Sequence, residues 1–214
     1  PIPAVEWSPQ PGLTLRSEAI AIEQGGAPVT LLRHRLTNTG STPVEGRFSL
    51  LTRPIQVNPP WQNGGLSPIH DIAVESDSGS AVRVNGRVLF RTLIAADAQG
   101  TQAFGTYGEG EITRFAAAGT VPDTTSAKDP DGLAAAITSY DVRLQPGEHR
   151  DIVLAFALGT RRIDAKAKVL PDSPTLDLAA FAGDPGQRFD AFATQVAQQW
   201  QARFGNIGLS LPDA

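Results

Sequence analysis

The stretch AITSYDVRLQPGEHRDIVLAFAL, residues 136–158, constrains the fold more than any other. Two runs of apolar and β-branched residues flank Pro146-Gly147, where proline presets φ and glycine accepts the positive φ of a type II turn. It reads as a β-hairpin, and the same grammar recurs along most of the chain. LTLRSEAIAIE (13–23) alternates loosely, EQGGAP turns, and VTLLRHRLTN (29–38) reads as the next strand. NTGSTP (38–43) is a strong turn signal ahead of VEGRFSLLTRPIQV (44–57), so residues 29–57 are expected to form an antiparallel pair. HDIAVES (70–76), AVRVNGRVLFRTLIAA (81–96) and AFGTYGEGEITRF (103–115) read as further strands, with a two-residue type I′ tip at Asn85-Gly86. Many strands with short turns predict a mainly β fold, an antiparallel sandwich rather than βαβ units. GTVPDTTSAKDPDG (119–132) lacks periodicity and reads as a long surface loop.

The composition changes near residue 170, which divides the chain into a β-sandwich over 1–170 and a helical linker over 171–214. Ser173 before Pro174 and Asp184 before Pro185 mark two helix starts, the second with Gln187 placed as in a capping box. Phe189, Phe192, Val196, Trp200 and Phe204 follow at steps of three, four, four and four, one apolar stripe that Gly205 stops. Such a stripe needs a partner, either an open face of the sandwich or a following domain. Trp200 is expected to be a buried anchor in that packing.

A net charge of −4 with interspersed signs and no long Lys/Arg run argues against nucleic acid as a partner. No apolar stretch approaches the roughly 20 residues needed to span a bilayer, so a membrane is not expected either. With no cysteine there is no disulfide and no thiolate metal site. There is also no methionine, so Pro1 is not a translational start and the chain reads as a processed or excised piece. Absent cysteine suits a cytosolic or a secreted protein, with a secreted or periplasmic setting favoured.

The catalytic inventory is thin. There is no GxSxG, HExxH, P-loop or dinucleotide fingerprint, and no cofactor is expected. His34 within a strand, His149 after the Pro-Gly turn and His70 at the end of a loop stand apart, and each reads first as packed or solvated. Glu109 and Glu111 sit at period-two spacing in a strand-like segment, which puts both carboxylates on one face, by default a solvated one. Asp129 and Asp131 in DPDG read as a turn before a calcium loop, because regularly spaced oxygen ligands are lacking. No metal site is expected.

The richest segment is RPIQVNPPWQNGGLSPIHDI (53–72). Trp61 offers a flat apolar ring, and Gln56, Asn58, Gln62 and Asn63 offer amides that donate and accept, the parts of a carbohydrate platform. With Arg53 and His70 at its ends, the segment suits a protein interface equally well. Pro54, Pro59, Pro60 and Pro68 stiffen it and lower the entropy cost of either kind of binding.

This segment, with SYDVRLQPGEHRDIVLAFAL (139–158) and FDAFATQVAQQWQARFGNIGLSLPDA (189–214), resembles the β-sandwich region that precedes the catalytic barrel in a group of large bacterial glycoside hydrolases, of the glycogen-debranching or glucoamylase type with an (α/α)6 six-hairpin barrel. The likeness runs from about residue 29 to the end. It implies an antiparallel supersandwich of the galactose-mutarotase-like type with a short C-terminal helical linker. A downstream (α/α)6 domain of the same polypeptide would be the partner and would hold the catalytic acids, and oligo- or polysaccharide a further contact. It implies a non-catalytic accessory domain; the other readings are a stand-alone carbohydrate-binding module and a mutarotase-like enzyme, whose His acid and Glu base the scattered histidines do not assemble.

Overall fold

The computed structural model describes residues 2–25, 27–54, 67–75, 81–103, 111–157 and 178–204. Within them lie eleven strands: β1 (Ala4–Gln10), β2 (Leu13–Gln24), β3 (Ala27–Asn38), β4 (Val44–Thr52), β5 (Asp71–Glu75), β6 (Ala81–Val84), β7 (Arg87–Thr92), β8 (Ala98–Gln102), β9 (Ser126–Lys128), β10 (Ala135–Leu144) and β11 (His149–Ala157). Two α-helices join them, α1 (Ile112–Ala118) and α2 (Pro185–Phe204), with a 3-10 turn at Leu178–Phe181. The strands form two antiparallel sheets, an eight-stranded one ordered β1-β2-β3-β11-β7-β6-β5-β9 and a three-stranded one ordered β4-β10-β8. The expected mainly β class, with a helix at the C-terminal end, is what the chain adopts.

Period-two alternation assigns each sheet face. Leu36, Ile152 and Leu154 of the large sheet meet Tyr140, Val142 and Leu144 of the small one in the main core. On the outer side of the small sheet, Ala135 and Ile137 pack against Ile112 and Phe115 of α1. On the outer side of the large sheet, Ile20, Val29, Leu31, Val153 and Ala155 pack against Phe181, Phe189 and Phe192. The order of layers is therefore α1, small sheet, large sheet, α2.

Two expected hairpins do not form. Across Pro146-Gly147 the turn is present, with Gly147 at φ 81° and the Glu148 N–H donating to the Gln145 carbonyl at 2.9 Å. Yet β10 pairs with β4 and β8, while β11 pairs with β3 and β7. The turn carries the chain from one sheet to the other. The expected 29–57 pair fails likewise: β3 pairs with β2 and β11, and β4, which ends at Thr52, pairs with β10.

Both crossings are tied together by Asn38, which is fully buried. Its Nδ2 donates to the Thr42 and Leu144 carbonyls at 2.8 and 3.0 Å, and its Oδ1 accepts from the Gly40 N–H at 2.9 Å. Its own N–H donates to the Glu148 carbonyl, and its carbonyl accepts from the Gly147 N–H, each at 2.9 Å. This capture of the 146–148 turn by the end of β3 draws β11 into the large sheet.

Ala4–Gln10, to which the sequence assigns no element, is an exposed edge strand paired with β2. Two further segments differ from expectation. The end of the expected 103–115 strand is helical: the Glu111 carboxylate caps α1 by accepting from the Thr113 N–H at 3.1 Å, and Gly119 closes the helix at φ 66°. The expected 119–132 loop contributes the short strand β9 before its DPDG turn. The β6–β7 hairpin forms as read, with Asn85 at φ 50° and Gly86 at φ 79°.

Candidate functional site

Of the richest segment, Gln56, Asn58, Trp61, Gln62 and Asn63 lie outside the described residues; Arg53 and His70 lie within them. Arg53 follows β4, and its guanidinium stands 3.3 Å from the Glu111 carboxylate that also caps α1. His70 precedes β5 and is exposed, with Nδ1 at 3.2 Å from the Asp129 carbonyl oxygen. Its backbone N–H donates to Asn85 Oδ1 at 2.9 Å, and Asn85 Nδ2 donates back to the Pro68 carbonyl at 2.9 Å. Gly132, at φ 77°, leaves no room for a Cβ beside Pro68 and the His70 ring. Asp129 is buried, and its Oδ1 accepts from the Asp131 and Leu133 N–H groups at 2.9 and 3.2 Å. Residues 68–71 are thus clamped between two turns, and the carboxylate read as a remote calcium ligand is spent on the turn itself.

The other histidines differ in setting. His149 is exposed at the start of β11, opposite Thr37. His34 faces the space between the sheets: Ser17 Oγ lies 2.8 Å from its Nδ1, and its ring tilts against Phe48 of β4 at 5.4 Å between centroids. Burial pushes its pKa below the ordinary 6.5, so it is neutral at pH 7. Among the described residues, no group of three or more His, Asp or Glu could hold a metal ion.

The most organised polar cluster went unread in the sequence. On the outer face of the large sheet, register places Glu18 opposite Arg33 and Arg35 opposite both Arg16 and Asp151. Arg33 grips Glu18 through Nε at 3.1 Å and Nη2 at 2.5 Å, reaches Asp190 of α2 with Nη1 at 2.6 Å, and lies 4.3 Å over the Phe189 ring. Arg35 forks onto Asp151 at 2.7 and 2.6 Å. Burial pushes the Glu18 carboxyl up, but hydrogen bonds from Arg33 and Arg16 outweigh it and leave the pKa below the ordinary 4.5. The available signal was the period-two placement of charges in LRSE and RHR, which sets them on one strand face.

α2 starts as its sequence predicts, with the Asp184 carboxylate accepting from the Gln187 N–H at 2.8 Å. Its stripe then divides. Phe189 is 1% exposed and sits over Arg33, whereas Phe192 and Val196 are half-buried. Trp200 and Phe204, 54% and 47% exposed, stack on each other with centroids 5.0 Å apart. Trp200 is therefore not packed on the sandwich, because the apolar cluster under α2 ends at Phe192 and Ala193, which leaves a following domain as the partner its expected packing would need. Beside the distal half, a groove of about 700 Å³ runs between Phe192, Gln199 and Arg203 on one side and Ile22 and Glu23 of β2 and Pro28 of β3 on the other.

No protein-family model matches the chain, and no curated protein matches it. No helix among the described residues is long and apolar enough to cross a membrane.

Proposed function

We propose that this chain is a non-catalytic accessory domain of a glycoside hydrolase, one that supports or shapes a catalytic barrel in the same polypeptide. The observation that carries the docking half of this reading is the divided stripe of α2: Phe189 is sealed on the sheet, and the stacked pair Trp200–Phe204 continues the stripe into solvent. A large exposed aromatic pair on a helix whose base is fixed by the buried Phe189 and by the ion pair between Arg33 and Asp190 is a preorganised anchor for a protein surface. The enzyme class rests on the three motifs that resemble sandwich regions of barrel-bearing hydrolases. The polar groups described support a non-catalytic role, since Glu111, Asp129 and Glu18 each hold a local structural bond.

The test uses the product of the whole gene alongside residues 1–214. Glycoside hydrolase activity is expected in the former and not in the latter. Trp200→Ala with Phe204→Ala is expected to lower the thermal unfolding temperature of the whole product and to expose the chain near residue 205 to protease. The same pair of changes leaves the unfolding of residues 1–214 nearly unchanged. Equal unfolding and equal proteolysis of the altered and unaltered whole product would sink the docking role.

A further inference from the structure

The large sheet extends past the small one. β1 and β2 lie beyond β3 at one edge, and the small sheet ends at β4. The consequence shows in the exposure of β2: Glu18 and Ile20, on the face under α2, are buried, while Leu13, Leu15, Ser17 and Ala19, on the face toward the small sheet, are half-open. Val5 and Trp7 on β1 share that open face and are 71% and 62% exposed.

Register orders this shelf into rows. Val5, Ser17 and His34 form one row, and Trp7, Leu15 and Leu36 form the next. Rows two residues apart along a strand are about 7 Å apart. One row further on, a cavity of about 190 Å³ opens between Pro9, Gln10 and Leu13 of the large sheet and Val44 of β4, with Glu45 and the Asp141-paired Arg47 also on its lining. An exposed indole therefore stands between a hydrogen-bonding pair on one side and a small cavity on the other. The Ser17 hydroxyl and the neutral His34 imidazole each combine donor and acceptor capacity. None of the side chains in these rows carries a charge at pH 7, although the paired charges Arg16 and Glu18 sit one residue away on the opposite face.

We propose that this shelf is a binding site for a neutral oligosaccharide, which lies along the strands with one sugar ring on Trp7, hydroxyls at Ser17 and His34, and an end in the cavity beside Pro9. The chemistry favours this occupant over others. A flat ligand face matches the indole, hydroxyls match a hydroxyl–imidazole pair that both donates and accepts, and an ionic ligand lying along the two rows would lose its water without gaining a counter-charge there, while Arg47 at the cavity is already paired with Asp141. The inference goes beyond the accessory-domain reading, which places no ligand here, and it stands or falls on a surface that the Trp200 and Phe204 changes do not touch.

The experiment follows the indole N–H resonances of residues 1–214 during titration with maltohexaose, cellohexaose and xylohexaose. The chain has three tryptophans, so Trp61 and Trp200 are internal controls, and Trp7→Phe assigns the signal of interest. Saturable movement of the Trp7 resonance by at least one neutral hexasaccharide is expected below about 10 mM, with none from hexagalacturonate. Trp7→Ala is expected to weaken binding at least about tenfold, and Ser17→Ala several-fold. Trp7 is exposed, so its replacement leaves the fold intact, and Ser17→Ala is the second, independent variant. Movement of the Trp61 resonance alone, a Trp7 shift that depends only on protein concentration, or no response to the three neutral sugars would each overturn the proposal.

Discussion

The two faces of β2 and β3 are built from the same two strands and have opposite characters. Under α2 the face is closed and charged, with Glu18 and Arg33 at 8% and 5% exposure and every ion of the cluster gripped by another. Toward the small sheet the face is uncharged and half-open, with Trp7 standing free on the neighbouring strand. Burial of charge demands full pairing, so the closed face is specified tightly and tolerates little change. The open face places few such demands on the fold, which leaves its residues free to meet something outside the chain. The same contrast recurs along α2, sealed at Phe189 and open at Trp200.

The contrast breaks most forcefully at Arg33. Arg33→Ala leaves the buried Glu18 carboxylate with Arg16 alone, breaks the tie to Asp190 of α2 and removes the cation from the Phe189 ring, and is expected to cost about 3–5 kcal/mol in denaturant unfolding. A loss under about 1 kcal/mol would show that the closed face is not held by its ions. Phe189→Ala, which opens a cavity in the same contact, is expected to cost about 3–5 kcal/mol. Asn38→Ala comes next at about 1–3 kcal/mol, because it orphans the buried Leu144 carbonyl and unties both inter-sheet crossings. Unchanged unfolding of that variant would mean that the crossings are held by core packing alone.

Asn38 also explains how much of the fold was legible. Strand positions follow from alternation and turn positions from Pro146-Gly147 or Asn85-Gly86, because both signals are local. The partner of a strand is not local. Pro146-Gly147 makes its turn whether the next strand returns to β10 or crosses to β3, and the choice is made by hydrogen bonds from Asn38, more than a hundred residues earlier. For the same reason Glu111 reads as a strand residue, although its carboxylate caps a helix and pairs with Arg53, just past the end of β4. The buried cluster was hidden because Glu18, Arg33, Asp151 and Asp190 come from four elements, and only register and packing bring them together. Trp7 was hidden by a short, exposed edge strand with no buried residue to mark its face.

The two faces also separate by pH. His34, on the open side, has a pKa below 6.5, so the stability it contributes is present above 6.5 and is lost as pH falls through the lowered value. Glu18, on the closed side among Arg16, Arg33, Arg35, Asp151 and Asp190, has a pKa below 4.5, so its contribution persists to lower pH and is lost only as pH falls through that lower value. Unfolding free energy against pH is expected to decline in two windows. His34→Gln removes the upper one and leaves the lower. A single decline that both His34→Gln and wild type share would erase the distinction.

The smallest effects are expected where the molecule is open. Trp200→Ala and Trp7→Ala should each change the stability of residues 1–214 by no more than about 0.5 kcal/mol, since neither buries its ring and neither leaves a polar group without a partner. That neutrality is informative because tryptophan is the largest apolar side chain to expose, and the closed face shows that this fold can seal such groups when packing requires it. Calorimetry of both variants decides the matter. A loss above about 2 kcal/mol at either position would place that ring in the core of this domain, and would turn an outward-facing anchor or sugar platform into a piece of internal packing.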